Sequence, residues 1–383
     1  MEPTEPHPET ARPSAGLYGR PPGPNLAELH VHVGAAIEPH ILYSMAHAQG
    51  IRLPVSGYWN FVDLVTAHPD RVKTHDGYLA LFHWTELIQS SPSAMQACVQ
   101  SVIGGGFRHA SVDLVELRFC PAKRNRGREL DLDHIILAAV HGMQRALLEY
   151  PEVKAGLILS ADRTLLPEVN AAIVRKAVRY RDMGIVGVDL AGPDAAAWGG
   201  VRALERAFAE ARQAGLGITI HTGEIPGSED EIDAVLRRIQ PDRIGHGIRA
   251  AWRPDLLERL HRDGVVLELC PTSNLRTHAL AGVDELRFVV ERLDQFGVPY
   301  TLNTDGPEFL VTDLPTERAL LRDNGILDEA GLARTDAIAR QATFIPGARP
   351  QPDGAETAER TGALAARQAG RGGAASEREL ARR

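Results

Sequence analysis

The chain has 383 residues, of which 44% are hydrophobic and 24% charged, a composition typical of globular proteins that bury a sizeable core. The formal net charge of -8 argues against a nucleic-acid partner, because proteins that bind a phosphate backbone need a basic surface. The chain has no apolar run of about 18 residues, no secretory signal pattern and no CxxC spacing, so we predict a cytoplasmic protein without a membrane span or disulfide framework.

The composition changes at both ends of the chain. Residues 1–24 contain seven prolines and almost no large aliphatic side chains, so burial cannot offset their ordering entropy, and we expect a disordered leader. Residues 346–383 have only Leu364 and Leu380 as large aliphatics among Ala, Gly, Arg and Glu, and we expect a disordered tail. The globular unit is therefore predicted to span residues 25–345.

Short apolar segments alternate with helical patterns along this unit. In chain order, the predicted strands cover 26–33, 112–119, 155–160, 185–191, 217–222, 243–246, 265–270 and 298–304. Helical periodicity lies between them, as in 171–183, 201–215 and 286–297. This alternation predicts an α/β fold with a parallel sheet, and the number of strands favours a closed (β/α)8 TIM-type barrel over an open doubly wound sheet.

The connection between the first and second predicted strands is much longer than the others. It contains several helical stretches, including 38–49 and 78–89. Active sites of barrel enzymes lie at the C-terminal ends of the strands, where this insertion begins. We therefore expect a helical insertion after strand 1 that covers the mouth of the barrel as a lid.

His30 and His32 lie two residues apart near the end of the first predicted strand, so their side chains face the same way. Such a pair by itself is more often a core histidine with a hydrogen-bonded neighbour than a metal site. However, His221 ends the fifth predicted strand and Asp305 follows the eighth. Three imidazoles and one carboxylate at one mouth suit a catalytic Zn²⁺ with a further position for water or substrate, and we predict such a site.

Glu224 and His246 are expected at the same mouth. Glu224 lies three residues beyond His221, and His246 ends the sixth predicted strand. Water activated by a metal needs a base, which a neutral imidazole supplies, and a nitrogen needs a proton donor, which a carboxylic acid kept protonated by burial supplies. The structural alternatives are a helix-capping Glu224 and a buried His246 bonded to a backbone carbonyl.

Six segments together resemble the successive motifs of the adenosine deaminase family, in the family's order: ELHVH (28–32), GVDLAG (187–192), HTGE (221–224), RIGHG (243–247), LELCPTSNLRT (267–277) and LNTD (302–305). The resemblance covers about residues 26–345. It implies a (β/α)8 barrel that holds one zinc ion and hydrolyses the 6-amino group of adenine nucleosides, with release of ammonia.

The resemblance also implies a role for each matching residue. His30, His32, His221 and Asp305 would be the zinc ligands. Glu224 would protonate the purine N1, and His246 would help to activate the attacking water. Gly192 would offer its backbone amide to the purine ring, and His32 would also contact the substrate.

Gly34 and Gly306 depart from the family's pattern. Family members that act on adenosine usually have an acid at position 34, which contacts the sugar, and an aspartate at position 306, which touches the purine. Gly34 cannot accept a hydrogen bond from a 5′-hydroxyl and would leave space for a larger group beside Ala35. At position 306, Glu308 or another neighbour would have to replace the purine contact. We therefore expect adenosine or a related adenine nucleoside, with a 5′-modified nucleoside such as aminodeoxyfutalosine as the alternative.

The sequence is also compatible with two other classes of function. One is another amidohydrolase barrel, although the fourth predicted strand lacks the lysine that commonly bridges two metals. The other is a non-catalytic relative that only binds a ligand, against which the full set of chemical residues argues. A zinc deaminase of nucleic acids is disfavoured, because HxE followed by PCxxC is absent. The sequence does not indicate an oligomeric state.

Three other residues are predicted to be structural. Cys270 is expected as a buried small side chain and not as a nucleophile. Phe82 lies on a helical apolar face and is expected in the core. Arg118 is expected to form an internal ion pair.

Overall fold

The computed structural model describes residues 23–68, 71–72, 74–127, 129, 131–193 and 199–350, with only the backbone for 199–203. The expected leader and tail lie almost wholly outside these residues, so both stay predictions. The eight strands of the sheet are β1 (Leu26–His32), β2 (Val112–Phe119), β3 (Lys154–Asp162), β4 (Ile185–Ala191), β5 (Gly217–Thr222), β6 (Arg243–His246), β7 (Val266–Leu269) and β8 (Tyr300–Leu302).

The strands follow one another around the sheet in chain order, and each pairs in parallel with the next. A parallel bridge between Val31 and Asp305 connects the first strand to the end of the last. There, the His32 amide donates to the Asp305 carbonyl at 2.8 Å, and the Asp305 amide donates to the His30 carbonyl at 2.9 Å. These bonds close the sheet, which confirms the predicted (β/α)8 barrel.

Helices surround the barrel and fill the long first connection. That connection and the helix before β2 comprise α1 (Pro39–Ala48), α2 (Tyr58–Leu64), α3 (His75–Leu79), α4 (Phe82–Ile88) and α5 (Pro92–Ala110). The remaining helices are α6 (Asp133–Glu149), α7 (Pro167–Arg179), α8 (Gly199–Gln213), α9 (Glu229–Arg238), α10 (Pro254–Asp263), α11 (Pro271–Arg276), α12 (Val283–Phe296), α13 (Pro307–Leu310), α14 (Leu314–Asp323) and α15 (Glu329–Ala342). In the described part of the chain, no helix combines the length and apolar character that a membrane crossing requires.

The predicted helix over 78–89 is two helices in the structure, α3 and α4. Ala80 and Leu81 between them have helical dihedral angles. However, the Leu81 amide donates to the Tyr78 carbonyl, and the His83 amide donates to the Ala80 carbonyl. These bonds span three residues instead of four, so the chain tightens locally and the regular helix is interrupted.

A network of charged side chains lies buried inside the barrel. Arg118 donates to Glu268 at 2.8 Å, which confirms the predicted internal ion pair. Arg243 joins Glu268 at 2.7 Å and Glu116 at 2.6 Å, and all four side chains are buried. Burial raises the pKa of Glu268, but Arg118 and Arg243 outweigh burial and bring this pKa down to about 2. Glu268 is therefore ionised at neutral pH, and the two arginines neutralise its charge.

The network predicts a large loss of stability when one charge is removed. Arg243→Leu leaves Glu116 and Glu268 buried with a missing partner, which typically costs about 3–5 kcal/mol of unfolding free energy. Urea denaturation at pH 7 measures this loss. The matched control is Arg206→Leu, because Arg206 is exposed and pairs with Glu210 on α8, and it should leave the midpoint unchanged. Equal midpoints for the two variants would contradict the prediction.

Candidate active site

The structure brings all four predicted metal ligands together at the C-terminal mouth of the barrel. His32 Nε2 lies 3.1 Å from His221 Nε2 and 3.4 Å from Asp305 Oδ1. His30 Nε2 lies 3.8 Å from the same carboxylate oxygen. The ligand atoms of the three histidines all lie within 4.8 Å of one another. β1 supplies two side chains of one face, and β5 and the end of β8 supply the other two.

This cluster fits a metal ion such as Zn²⁺. His30 Nε2 is buried and has no hydrogen-bond partner in the described part of the chain, a costly state for a polar atom unless a ligand satisfies it. Burial, reinforced by neighbouring Arg118 and His221, holds the pKa of His30 well below its usual value, and burial followed by His221 does the same for His32. Both imidazoles are therefore neutral, which is the form that binds metals.

Two buried carboxylates orient the histidine rings from behind. Glu268 contacts His30 Nδ1 at 2.7 Å, and Asp189 contacts His221 Nδ1 at 3.0 Å. A carboxylate that accepts the Nδ1 proton fixes the tautomer whose Nε2 lone pair faces the metal position. The sequence analysis assigned no role to either acid. The available signal was a charged residue inside an otherwise apolar predicted strand.

Asp305 is held in an unusual conformation. Its backbone φ is 61°, in the left-handed region that few non-glycine residues adopt. Its Oδ2 accepts hydrogen bonds from Ser273 Oγ at 2.6 Å and from the Tyr78 hydroxyl at 3.2 Å, so Oδ1 is the atom that faces the histidines. His246 has the same φ of 61°. Backbone strain of this kind clusters at functional sites, where surrounding contacts enforce it.

Glu224 and His246 lie beside the ligand cluster, as predicted. His246 Nε2 is 3.5 Å from Glu224 Oε2, and the Asn274 side-chain amide contacts His246 Nδ1 at 3.0 Å. A second imidazole, His75 of α3, approaches the same Glu224 oxygen at 3.1 Å. The sequence analysis missed His75, because no motif or periodicity distinguishes it within the insertion.

The expectation that burial keeps Glu224 protonated is wrong for this structure. Burial does raise the pKa of Glu224, but His246 and His75 outweigh burial and bring this pKa down to about 2. The carboxyl group is therefore ionised at neutral pH. An acid role for Glu224 then requires a proton from a neighbouring imidazole.

The prediction that Gly34 leaves free space beside it is also wrong. A Cβ atom at position 34 would lie 2.8 Å from the Phe82 ring and 3.1 Å from Arg124 Nη2. These two side chains, and not a cavity, occupy the place where a carboxylate would extend. Phe82 was expected in the core, but its ring also packs edge-on against His32, with centroids 5.9 Å apart.

The two other glycines of the predicted site are also in close contact with neighbours. A Cβ atom at Gly306 would clash with the Tyr78 hydroxyl and lie 2.8 Å from the Ala35 Cβ. Tyr78 thus takes the place of the family's second aspartate. Gly192 has a φ of 99°, and Arg163 donates both to its carbonyl at 3.3 Å and to the His221 carbonyl at 2.5 Å. Gly192 is therefore tied through Arg163 to the strand end that carries His221.

A second possible ligand trio does not have suitable chemistry. His30, His246 and Cys270 also place donor atoms within 4.8 Å of one another. Burial raises the pKa of the Cys270 thiol well above its usual value, and Asp305 adds to this effect. The thiol therefore stays protonated, and the protonated form is a poor metal ligand and a poor nucleophile.

The geometry predicts that metal binding depends on Asp305. Asp305→Ala removes one of four converging donors, so we expect loss of most bound metal, measured by elemental analysis of the purified protein. Asp313→Ala is the matched control, because Asp313 only caps α14 through Thr316, and it should retain the metal content of the parent. Full metal occupancy in Asp305→Ala would show that the ligand assignment is wrong.

Comparison with known proteins agrees with the motif resemblance. The family model described as adenosine deaminase matches residues 25–351. An aminodeoxyfutalosine deaminase of Acidothermus cellulolyticus is 35% identical over 305 residues, which cover 78% of this chain and 82% of the relative. An adenine deaminase of Agrobacterium fabrum is 29% identical over 327 residues, which cover 83% and 93% of the two chains.

A solved structure agrees as well. Arabidopsis ADAL complexed with IMP superimposes with a TM-score of 0.71 at 26% identity, over 84% of this chain and 93% of that chain. The match to the family model spans the barrel and every residue of the cluster described above, which argues against a non-catalytic relative. This chain is an aminohydrolase that belongs to the adenosine deaminase family.

Proposed function

We propose that this chain catalyses the hydrolytic, zinc-dependent removal of the 6-amino group of an adenine nucleoside, with one zinc ion per chain, in the cytoplasm. The coarser statement, that it is a deaminase of adenine compounds, follows from the family and its relatives. The observation that carries the finer proposal is the convergence of His30, His32, His221 and Asp305 beside Glu224. The substrate would be a small molecule, as it is for the relatives named above.

The ligand cluster would hold the metal through three imidazoles and one carboxylate. When bound, a zinc ion supplies Lewis acidity that makes a water molecule a strong nucleophile near neutral pH. The chain's own contribution is to keep two of the three rings in one tautomer and orientation. Glu268 and Asp189 do this for His30 and His221 through their contacts to Nδ1.

His246 is proposed as the base that accepts a proton from the attacking water. Its side chain is buried, with Asn274 at Nδ1 and Glu224 near Nε2. In the structure the Asn274 side-chain nitrogen lies 3.0 Å from Nδ1, and the Asn274 oxygen has no hydrogen-bond partner in the described part of the chain. A flip of the amide exchanges these two atoms and lets the oxygen accept the Nδ1 proton, so that Nε2 carries the lone pair.

Glu224 is proposed as the acid that protonates the purine N1. Protonated N1 withdraws electrons from C6, so water adds to C6 more easily and ammonia can then depart. In the structure the carboxylate is ionised and lies against two imidazoles, His246 and His75. The proton that reaches N1 would therefore come from this group of three side chains.

The role of Glu224 predicts a separation of metal binding from turnover. Glu224→Gln should keep its metal and lose about 10²–10⁴-fold in kcat, because an amide can donate a hydrogen bond to N1 but cannot transfer a proton. Ammonia release and metal content are measured on the same samples. Glu229→Gln is the control, since Glu229 lies on the first turn of α9 and pairs with Arg249. Metal loss, or a kcat within a few-fold of the parent, would contradict the assignment.

A 5′-modified adenine nucleoside is the second candidate substrate. At position 34 the family's carboxylate is absent, and the Arg124 guanidinium and the Phe82 ring lie in its place. A guanidinium offers only donors, so it favours a 5′ group that accepts hydrogen bonds or carries negative charge. The Acidothermus relative is named for aminodeoxyfutalosine, and Arabidopsis ADAL was solved with the 5′-phosphorylated IMP. Both compounds carry a 5′ substituent in place of a free 5′-hydroxyl, which supports a site that does not depend on that hydroxyl.

This candidate predicts weak discrimination at the 5′ position. We expect kcat/KM for 5′-deoxyadenosine, 5′-methylthioadenosine and aminodeoxyfutalosine to equal or exceed the value for adenosine. The reason is that position 34 has no carboxylate to accept a hydrogen bond from the 5′-hydroxyl of the substrate. Loss of adenine absorbance measures each rate. A preference of about 100-fold for adenosine over 5′-deoxyadenosine, or roughly 2.7 kcal/mol, would show that the hydroxyl is still recognised and would exclude this candidate.

A further inference from the structure

The short helix α3 of the insertion contacts two carboxylates at the mouth of the barrel. His75 Nε2 lies 3.1 Å from Glu224 Oε2, and the Tyr78 hydroxyl donates to Asp305 Oδ2 at 3.2 Å. The two side chains are three residues apart, so they project from the same face of the helix. Thr74 caps this helix by accepting a hydrogen bond from the Gly77 amide at 3.1 Å. The insertion therefore supplies two polar groups to the site and does not merely cover it.

The contact between His75 and Glu224 is secluded from solvent. The His75 side chain is 12% exposed and the Glu224 side chain 6%. The same Glu224 oxygen also faces His246 Nε2 at 3.5 Å. One oxygen of the carboxylate is thus flanked by an imidazole of the barrel and an imidazole of the insertion. In such surroundings a charge-assisted hydrogen bond is stronger than at the surface.

We propose that His75 is a positioning residue for Glu224: it holds the carboxylate toward the substrate and shares a proton with it, so the insertion and the barrel each supply one member of the acid pair. This inference rests on the proposed role of Glu224. The shared proton lies on His75 Nε2 when the carboxylate is ionised and on Glu224 Oε2 when the imidazole is neutral. Transfer to the purine N1 removes one proton from the pair, and solvent returns it.

Other titratable groups face this pair from each element around it. His246 lies at the end of β6, His221 on β5, and Tyr78 on α3.

Two roles of His75 can be distinguished by kinetics. If His75 only held the insertion in place, its loss would weaken substrate binding and raise KM. A role in the proton transfer would lower kcat and leave KM nearly unchanged, because the group acts after binding.

The decisive variants are His75→Ala and His75→Gln. Glutamine can still donate a hydrogen bond to Glu224, but it cannot carry the shared proton. We expect both variants to keep their metal and to lose about 10–100-fold in kcat, with KM within about three-fold of the parent. His83→Gln is the matched control, because His83 is an exposed histidine of the same insertion, and it should keep the parent's kinetics.

The pH profile provides a second measurement. In His75→Gln the carboxyl group must hold its proton alone, so the alkaline limb of kcat should move to lower pH than in the parent. A near-parent kcat in His75→Gln, an unshifted alkaline limb, or a loss confined to KM would overturn the inference.

A third measurement does not depend on activity. The ¹⁵N resonance of His75 Nε2 in labelled protein should move toward that of a neutral imidazole in Glu224→Gln, because the ion pair is removed. An unchanged resonance would overturn the inference. Failure of the parent to release ammonia from any adenine nucleoside would instead count against the proposed function, since the resonance still reports the pair.

Discussion

The closure of the barrel between β1 and β8 is the constraint on which the site depends. Two backbone hydrogen bonds place Asp305 between His30 and His32, and the same three residues supply donors to the ligand cluster. The distance between the carboxylate and the imidazoles is therefore fixed by the sheet itself. An open sheet with the same strands would leave the donors of the first and last strands at opposite edges.

The interior charges connect the stability of the barrel to the orientation of the ligands. Glu268 Oε2 contacts both Arg118 and His30 Nδ1, and Glu268 Oε1 contacts Arg243. Because the two arginines keep Glu268 ionised, it remains an acceptor for the Nδ1 proton of His30. A change in this network would thus disturb both the unfolding free energy and the geometry of the metal ligands.

The insertion determines the surroundings of the substrate end of the site. Phe82 of the insertion and Arg124, which follows β2, lie over Gly34. Tyr78 of the insertion lies over Gly306, and His75 contacts Glu224. Gly34 was predicted to leave space, but this glycine and Gly306 instead allow close packing of these side chains. The side chains that surround positions 34 and 306 in this chain therefore come from segments outside the barrel strands.

The sequence by itself determined the fold and the chemical groups of the site. Eight apolar segments predicted the strands. Residues at or near their C-terminal ends were the candidates for the site: His30, His32, His221, Glu224, His246 and Asp305. Such predictions succeed because side-chain alternation along a strand is local and the position of the site in a barrel is general. Three features depend on the tertiary structure alone. They are the ionisation of Glu224, the packing of side chains against Gly34, and the contact between His75 and Glu224. These depend on how an irregular insertion packs against strands that lie far from it along the chain. No periodicity encodes that packing, and burial and neighbouring charges follow from it.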